Sequence, residues 1–533
     1  MRDPLPRVQR GLAAALRDRR TQLSAAAFVL TALACYLYVL VGNINNYDNI
    51  VCTPEGYGTG LRSGRWMLTL LGDTVGHAMG NFNLPLFNGL LGLVFLGLAC
   101  QFLWRALHLQ KPWQCAVLTA ITAAWPAAAS AMLFSFTVHY YLFAVLLAAV
   151  AVWMADRRGW GWFVGASLTL ACSIGVYQAY FPLAAALLVL RLLQQCLDSE
   201  TPWKTVALRA LRFVGVLAAA MVVYFLLLQL CLRLYHETLT AYRGINNMGK
   251  LNFAELPQML VRCVRCFYLL PKTGYAFLTN SRLIRWAMWA SLLLSAVSLA
   301  LAWRDRDWKK IVTVVLLLAA LPIAANGIFI MAPETATHTL MTYGVVTLFY
   351  LPLIVGDGLR WRRDAVRRWV SLLTCLCLAG ASAGYAWFCN GCYRTNYYSN
   401  EIMASYYTSM LTRALDGGLH ARSRDRLCRS VCGGPDTVRP VERHAVHHGR
   451  PQHSLRPDQR IRPPAHDRDV HRHGNALRHR RRAGAVRRQH CRCPELPRRR
   501  LHVDRGRQAV HPSLRPEHGI LLTDCQKSSG GLF

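Results

Sequence analysis

Residues 138–155 read VHYYLFAVLLAAVAVWMA and contain no Asp, Glu, Lys or Arg. An apolar run of about 18 residues is long enough to cross the hydrocarbon core of a bilayer as a helix. Similar runs recur along most of the chain. We therefore predict an all-α polytopic membrane protein with about 11 transmembrane helices, at residues 24–42, 86–104, 114–134, 138–155, 160–177, 179–195, 211–234, 284–303, 310–328, 339–356 and 367–388.

The composition agrees with this fold class. The chain has 533 residues, of which 53% are hydrophobic and 17% are charged, and its mean hydropathy is +0.22. Soluble domains are closer to a quarter charged, so these values exclude a disordered chain or a collagen-like fibre and argue against an ordinary soluble enzyme. No small-residue cleavage site follows the first run, so we expect residues 1–23 to be a basic cytoplasmic segment and not a signal peptide.

The distribution of Lys and Arg predicts the orientation. The connections after the even-numbered runs are all basic, and they lie at 105–111, 156–158, 196–210, 304–310 and 360–368. Cytoplasmic loops carry an excess of Lys and Arg. We therefore place the N-terminus in the cytoplasm and the region after the last run outside, which requires an odd number of spans.

Two connections on the predicted outer side have amphipathic patterns. Residues 66–79 and 250–270 carry apolar residues at helical spacing, with charged residues between them. Such segments are typical of helices that lie in the membrane interface. We expect both to lie on the outer face, near a site that handles a lipid head group.

Asp48 is the first candidate catalytic residue. It lies just outside the first run, in the Asn-rich stretch Asn43-Ile-Asn-Asn-Tyr-Asp48-Asn49. A carboxylate at a membrane surface can deprotonate an acceptor hydroxyl as a general base. The alternative is a solvated or helix-capping aspartate. Asp73 and Glu55 are further carboxylates of the same loop.

Three basic residues of the outer loops are candidates for phosphate binding. Arg62 and Arg65 flank a Ser-Gly pair, and Lys272 follows Pro271. A guanidinium binds a phosphate through two parallel hydrogen bonds. The alternative is that these side chains reach towards lipid head groups, as interfacial Arg and Lys commonly do.

A third group of residues could bind the sugar or the acceptor. Tyr177, Gln178 and Tyr180 fall at the outer end of two adjacent runs, and Glu334 lies between two later runs. Polar groups at such depth need partners, which sugar hydroxyls could provide. The alternative for the tyrosines is an interfacial aromatic belt.

No sequence motif indicates a cofactor. The chain lacks a Walker A motif and a zincin helix. We predict no cofactor, although the residues remain compatible with a divalent metal. The apolar runs carry no ladder of carboxylates, which favours an enzyme over an ion-driven pump. The main alternative function is a transporter or flippase of lipid-linked envelope precursors, and another is a structural assembly partner.

The chain ends in a segment of different character. Residues 391–419 form a short outer C-terminal segment, after which residues 420–533 contain 26 Lys and Arg against 10 Asp and Glu, and 13 of the 18 His. One interpretation is a basic arm for nucleic acid. We prefer a frameshift in a GC-rich gene, which yields Arg, Pro and His, so that residues 420–533 cannot form a core and are disordered. We expect no nucleic-acid partner.

Three motifs together resemble the type II O-antigen (serotype-converting) glucosyltransferase family of the GT-C class. They are Asn46-Tyr47-Asp48-Asn49, Gly60-Leu-Arg62-Ser-Gly-Arg65-Trp66 and Tyr177-Gln-Ala-Tyr180. The resemblance covers about residues 20–415, with a transmembrane core at 24–390. Where family members often carry an acidic pair, this chain has Asp48 alone.

The resemblance implies a multi-pass protein of the bacterial cytoplasmic membrane, with its N-terminus inside. It implies that a sugar, usually glucose, is transferred from an undecaprenyl-phosphate-sugar donor to a cell-surface glycan on the outer face. Asp48 would then act as base, and Arg62 and Arg65 would contact the donor phosphate. A flippase and a donor-making glycosyltransferase would be functional partners, besides the lipid bilayer.

Overall fold

The computed structural model describes residues 13–14, 16–42, 44–51, 56–240, 253–273, 276–279, 281–303, 307–332 and 337–416. All of these lie within the compact unit that contains Met1–Val431. The sequence predictions for Glu55, for Glu334 and for the tail at 420–533 concern residues outside the described ranges.

The described residues form an all-α structure. The helices are α1 (Arg19–Val41), α2 (Tyr47–Val51), α3 (Trp66–Met79), α4 (Pro85–Ala106), α5 (Pro112–Ala124), α6 (Pro126–Met132), α7 (Val138–Ala155), α8 (Trp160–Val176), α9 (Phe181–Leu197), α10 (Trp203–Leu234), α11 (Leu256–Tyr268), α12 (Leu270–Thr273), α13 (Ala276–Thr279), α14 (Arg282–Ala302), α15 (Trp308–Ala325), α16 (Ile328–Met331), α17 (Thr347–Gly358) and α18 (Asp364–Asp416). Three 3-10 helices cover Leu61–Ser63, Gln178–Tyr180 and Thr339–Val346.

The helices confirm the prediction of a polytopic membrane protein. In the described part of the chain, nine helical segments are long and apolar enough to cross a bilayer. Counted as one span, the bent pair α5–α6 makes ten, and the 17-residue α8 coincides with a further predicted span. Each predicted apolar run therefore corresponds to a helix or to this bent pair.

The third run differs from the single span predicted at 114–134. It is divided at Trp125, where α5 and α6 meet at 47°. Trp125 has extended backbone angles (φ −61°, ψ 134°), because the ring of the following proline disfavours a helical conformation at the preceding residue. The fully buried Trp125 donates from Nε1 to the carbonyl of Thr342 at 3.1 Å. The break thus ties this crossing to the segment before α17.

The last helix also exceeds its predicted length. The sequence predicts a span at 367–388 followed by a separate outer segment, whereas α18 is one helix of 53 residues. At 1.5 Å per residue such a helix is about 80 Å long, more than twice the thickness of a bilayer core. Asn390 Nδ2 donates to Ala34 O at 2.7 Å, and Asn400 Nδ2 donates to Asn45 O at 2.6 Å. These contacts place the extension of α18 beside the loop that carries Asp48.

Burial separates the core of the bundle from its periphery. The segments Gln178–Leu197 and Thr339–Gly358 are 89% buried and therefore form the centre. Leu30 of α1, Leu226 of α10 and Leu293 of α14 are between 64% and 70% exposed. Large apolar side chains exposed on spanning helices are the surface that lipid covers, since hydrocarbon is as apolar as Leu.

The first predicted amphipathic segment is the helix α3, and Leu256–Tyr268 of the second is the helix α11. In α3 the buried residues are Trp66, Leu68, Thr69 and Gly72, while Met79 is 73% exposed. In α11 the buried residues Met259, Cys263 and Phe267 lie four positions apart along one face. Each helix thus packs one face on the bundle and leaves apolar side chains on the other.

One end of the bundle is held by a buried carboxylate, and we call it the Asp156 end. Asp156 Oδ2 lies 2.7 Å from His108 Nε2 and 3.1 Å from Arg191 Nε, and Oδ1 lies 3.6 Å from Arg209 Nη1. Burial alone would raise the pKa of Asp156, but the hydrogen bond from His108 and the charges of Arg191 and Arg209 outweigh it and lower the pKa. The ion pairs join the ends of α4, α7, α9 and α10.

We expect Asp156→Asn to lower the thermal unfolding temperature of the detergent-solubilised protein. It removes the counter-charge of Arg191, which is itself 11% exposed, and an uncompensated buried charge costs about 3 kcal/mol or more. Asp364→Asn is the matched control, because Asp364 is 70% exposed in its pair with Arg367 and surface pairs contribute at most about 1 kcal/mol. Equal unfolding temperatures for the two variants would contradict the structural role of Asp156.

Candidate active site

The site is built on the loop before α3, at the opposite end of the bundle, which we call the Arg65 end. Gly64 adopts φ +75°, a left-handed conformation that glycine reaches without strain. A Cβ at this position would lie 2.7 Å from Gln178 Nε2 and 2.8 Å from the Tyr224 hydroxyl. Only glycine therefore lets the loop backbone approach these two side chains.

Gln178 and Tyr224 hold this loop against the bundle. Gln178 Nε2 donates to Ser63 O at 2.8 Å, and the Tyr224 hydroxyl donates to Gly64 O at 2.9 Å. Gln178 Nε2 also lies 3.1 Å from the Tyr224 hydroxyl. Both side chains are buried, so two buried hydrogen bonds fix the backbone just before Arg65, and a third joins the two side chains that make them.

Arg65 lies against two tyrosine rings. Its Nη1 donates to the Tyr141 hydroxyl at 3.1 Å and to Thr59 O at 3.3 Å. Its Cζ is 4.9 Å from the centre of the Tyr177 ring and 6.0 Å from that of Tyr141, within the range of cation–π attraction. Its Nε is buried and has no hydrogen-bond partner within the described residues. A buried, unpaired donor of a charged group is unfavourable until an acceptor occupies the space beside it.

Arg62 has a different environment, although it belongs to the same motif. Its side chain is 65% exposed, and its Nε lies 3.5 Å from Glu237 Oε2. Its carbonyl accepts from Thr240 N at 2.9 Å. Arg62 thus connects the loop to the chain after α10, while Arg65 is directed into the bundle.

Asp48 lies on a short helix that asparagines attach to the protein. It occupies the first turn of α2, and its side chain is exposed. Asn49 Nδ2 donates to Leu133 O at 2.9 Å, and Asn49 Oδ1 accepts from Ser135 N at 3.1 Å. Asn46 Oδ1 accepts from Asn49 N at 2.7 Å. The Asn-rich stretch is therefore a structural support that presents the carboxylate of Asp48 to solvent.

The turn at 133–137 connects the segments of Asp48 and Arg65. Asn49 bonds to its backbone, as described above, and Asn88 Nδ2 donates to Ser135 O at 2.9 Å. On the other side, a Cβ at Gly58 would lie 2.8 Å from the ring of Phe136, so the loop that leads to Arg65 rests on this turn. Both candidate residues thus flank one short segment at the Arg65 end.

The tyrosine motif proposed for sugar or acceptor binding lies inside the protein. Tyr177, Gln178 and Tyr180 are 4%, 5% and 1% exposed. Tyr177 contacts Arg65, Gln178 holds Ser63, and the Tyr180 ring packs edge-on against Tyr343 at 6.2 Å. Tyr177 and Gln178 therefore contact the loop, Tyr180 packs inside the bundle, and the part of all three in ligand binding stays a prediction.

Lys272 is not brought into this group by the structure. It lies exposed on α12, which packs against α14 and α11. No contact between Lys272 and Arg62 or Arg65 is present among the described residues. Its proposed role in phosphate binding therefore stays a prediction, and the contacts that position Arg65 do not involve it.

Asp73 is a second carboxylate near the site. It lies on α3 and accepts from the hydroxyls of Tyr57 at 3.0 Å and Tyr235 at 3.2 Å. Burial and the hydrogen bond to Asp73 raise the pKa of Tyr57 to about 12. Tyr57 also fills the space beside Gly72, where a Cβ would lie 2.3 Å from its ring. Asp73 thus fixes two tyrosines around the loop.

Sequence reasoning missed several residues of this site. Tyr224 lies within an apolar span and gives no polar signal, and Tyr57 and Tyr235 are single tyrosines in long connections. Their contacts join positions up to 162 residues apart, which a local pattern does not reveal. Among the described residues, no group of three or more His, Cys, Asp or Glu could hold a metal ion.

The geometry can be compared with known proteins. The family model described as Glucosyl transferase GtrII matches residues 37–349, which is more than half of the chain and includes Asp48, Arg65 and the 133–137 turn. No curated protein matches the chain, and no solved structure matches it. The match confirms the resemblance inferred from the motifs.

We expect Gly64→Ala to lower glucosyl transfer by about tenfold or more, since small displacements of a positioned group cost large factors in rate. The added Cβ would push the loop away from Gln178 and Tyr224 and so move Arg65. Gly161→Ala is the matched control, because a Cβ there meets nothing within 4 Å. The assay compares membranes with equal amounts of each variant. Full activity of Gly64→Ala would show that the position of this loop is not critical.

Proposed function

The chain belongs to the GtrII glucosyl transferase family, and we propose that it transfers glucose from an undecaprenyl-phosphate donor to a cell-surface polysaccharide. In this proposal the reaction takes place on the outer face of the bacterial cytoplasmic membrane, and the N-terminus lies in the cytoplasm. Asp48 is the general base, and Arg65 binds the donor phosphate.

Arg65 is the observation that supports the donor assignment best. Its guanidinium is fixed by the Tyr141 hydroxyl and the Tyr177 ring, while Nε is buried without a partner in the described structure. A phosphate oxygen next to Nε would accept this hydrogen bond, and hydrogen bonds between charged groups are about twice as strong as neutral ones. A lipid-linked phosphate can reach such a position from the membrane, because Arg65 lies where the spanning helices end.

The charges at the two ends of the bundle support the proposed orientation. The Asp156 end carries Arg191, Arg209 and Arg212. Described residues of the predicted basic connections are joined there too, through the contacts Lys111–Asp357, Lys310–Asp198 and Arg360–Glu200. If this end faces the cytoplasm, as the excess of Lys and Arg favours, the Arg65 end faces outwards. The donor and the polysaccharide would then meet at the outer surface.

In the proposed reaction, the carboxylate of Asp48 accepts the proton of an acceptor hydroxyl. The hydroxyl oxygen forms a bond to C1 of glucose, and the bond from C1 to the phosphate oxygen breaks. The leaving undecaprenyl phosphate gains negative charge, which the guanidinium of Arg65 stabilises. Attack from the face opposite the leaving group inverts the configuration at C1.

The environments of the two carboxylates favour Asp48 as the base. Within the described residues, the Asp48 side chain has no hydrogen-bond or ion-pair partner and is exposed to solvent. Asp73 instead accepts hydrogen bonds from two tyrosine hydroxyls, which occupy its two oxygens. A base must be able to reach the substrate proton, and Asp48 satisfies this condition better.

The donor must be made and delivered before it can be used. A glucose attached to undecaprenyl phosphate in the cytoplasm requires a donor-making glycosyltransferase, and its movement to the outer leaflet requires a flippase. We propose these two activities as functional partners. A chain that itself moved the lipid could also contain a broken crossing such as α5–α6, so the match to the glucosyl transferase family is what favours the transferase over the flippase.

We expect Asp48→Asn to lower the rate of transfer by roughly 10²–10⁴-fold, the contribution typical of a general base. The assay follows labelled glucose from undecaprenyl-phosphate glucose into envelope polysaccharide. Asp364→Asn is the matched control, because Asp364 is exposed and begins α18 at the Asp156 end. Asp73→Asn tests the rival base, and a larger loss for this variant than for Asp48→Asn would transfer the role to Asp73.

We expect Arg65→Gln to lower kcat/KM for the donor by about 10–100-fold, because a hydrogen bond between charged groups contributes about 1.5–3 kcal/mol. Arg65→Lys keeps the charge but loses the planar fork, so its activity should lie between those of the parent and Arg65→Gln. Arg62→Gln provides the comparison within the motif and should have the smaller effect, since Arg62 is exposed and pairs with Glu237. If Arg62→Gln were the more damaging variant, Arg62 would be the phosphate-binding residue.

A further inference from the structure

A second arginine site lies at the Asp156 end, away from the proposed active site. A cavity of about 570 Å³ opens there between the ends of α1, α4 and α7. Its walls contain three arginines, two tryptophans and a histidine, namely Arg20, Trp104, Arg105, His108, Trp153 and Arg157. We call it the Arg157 pocket.

Stacked tryptophans fix the arginines of this pocket. Arg157 Cζ lies 3.9 Å from the centre of the Trp153 ring and 5.1 Å from that of Trp162. On the facing wall, Arg105 Cζ is 4.1 Å and Arg20 Cζ is 5.3 Å from the Trp104 ring. A guanidinium stacked on an aromatic ring keeps the N–H groups at its edge available for an oxyanion.

The acidic residues in the wall are already neutralised. Asp18 pairs with Arg20 at 2.8 Å, and Asp156 pairs with Arg191, Arg209 and His108. The hydrogen bonds and charge of Arg20 outweigh the effect of burial and lower the pKa of Asp18, so this carboxylate stays charged in its pair. Among the described residues, Arg157 therefore lines the cavity with no acidic partner at ion-pair distance, while Arg105 lies near the charge of Asp18.

Arg157 differs from the other arginines in its hydrogen bonding. Arg105 donates to Gln101 and to Thr21 Oγ1, and Arg20 donates to Asp18 and to Gln110 Oε1. In the described part of the chain, the guanidinium of Arg157 has stacking contacts only. Its backbone is fixed, since Arg212 donates to Ala155 O at 3.0 Å and to Gly159 O at 3.1 Å. The pocket thus combines a rigid backbone with a positioned cation whose donors are unused.

We propose that the Arg157 pocket binds the phosphate group of an anionic phospholipid from the membrane leaflet at the Asp156 end. The pocket lies where α1 begins and where α4 and α7 end, which is the depth at which head groups lie beside spanning helices. Basic pockets between transmembrane helices bind acidic head groups, and tryptophan is favoured at the same depth. The phosphate would accept from the edge of Arg157 and lie near the charge of Arg105.

This assignment is separate from the glucosyl transfer reaction. The pocket is formed by the ends of α1, α4 and α7 at the Asp156 end, whereas Arg65 and Asp48 lie at the other end of these helices. A bound acidic lipid would bridge the three helices and add to the ion pairs of Asp156. Its expected effect is on lipid retention and stability and not on the chemistry of transfer.

The test titrates the detergent-purified full chain with phosphatidylglycerol and follows the lipid-bound species by native mass spectrometry. We expect Arg157→Gln to weaken phosphatidylglycerol binding by about tenfold or more, the factor that corresponds to one lost charge-assisted hydrogen bond. Arg157 and Arg158 are both exposed, but Arg158 does not line the pocket, so Arg158→Gln removes the same charge and should bind as the parent does. Phosphatidylcholine, which carries a phosphate but no net charge, should bind weakly to all three proteins.

Two further measurements make each outcome decisive. Circular dichroism shows whether Arg157→Gln is folded. If it is not, Arg157→Lys replaces it in the titration. This variant keeps the positive charge but loses the planar guanidinium, so it should also bind phosphatidylglycerol more weakly than the parent. Inorganic phosphate is added as a soluble competitor, and it should displace phosphatidylglycerol poorly if the site takes its phosphate from lipid. Equal binding by the parent, Arg157→Gln and Arg158→Gln would overturn the proposal, and efficient displacement by inorganic phosphate would overturn the lipid source.

Discussion

The hydrogen bond from Gln178 to the carbonyl of Ser63 is the contact on which the proposed active site depends. It crosses from the junction of two spanning helices to a loop 115 residues earlier in the chain. In an apolar bundle a buried amide must find a partner, because an unpaired polar group is costly there. The Tyr224 hydroxyl donates a second hydrogen bond to the same loop, at the carbonyl of Gly64. The loop is therefore held by the burial of polar groups, and Arg65 gains its fixed position as a consequence.

The two arginines of one motif differ in environment because of these tertiary contacts. Arg62 and Arg65 are three residues apart, yet one lies in solvent near Glu237 and the other lies between tyrosine rings. A guanidinium paired at the surface contributes little, whereas a positioned guanidinium in a water-poor site acts strongly on a phosphate. The difference arises from tertiary contacts, so residue type and spacing alone assign both arginines the same role.

The fold could be predicted from the sequence because hydropathy is a local property. Runs such as residues 138–155 are long enough to cross a bilayer core, and each run corresponds to an observed helix or bent pair. The break at Trp125 was missed, although Pro126 gives a signal for it, because the surrounding residues are uniformly apolar. The contacts between Asn49 and the 133–137 turn, and between Tyr235 and Asp73, join distant parts of the chain, and no local pattern contains them. The sequence therefore identified Asp48 and Arg65 as candidates but could not show what supports them.

The long helix α18 contacts the segment that carries Asp48 from the C-terminal side of the chain. Tyr393 reaches Ala129 O at 2.8 Å, and Asn400 reaches Asn45 O, three residues before Asp48. The first contact secures α18 to the broken crossing of α5 and α6, and the second connects it to the segment that carries the proposed base. The side chains of residues 401–410 are exposed, including Ile402 and Tyr406. The helix is thus stabilised by contacts before this point, so the position of Asp48 relies on residues up to Asn400 and does not require the exposed turns beyond it.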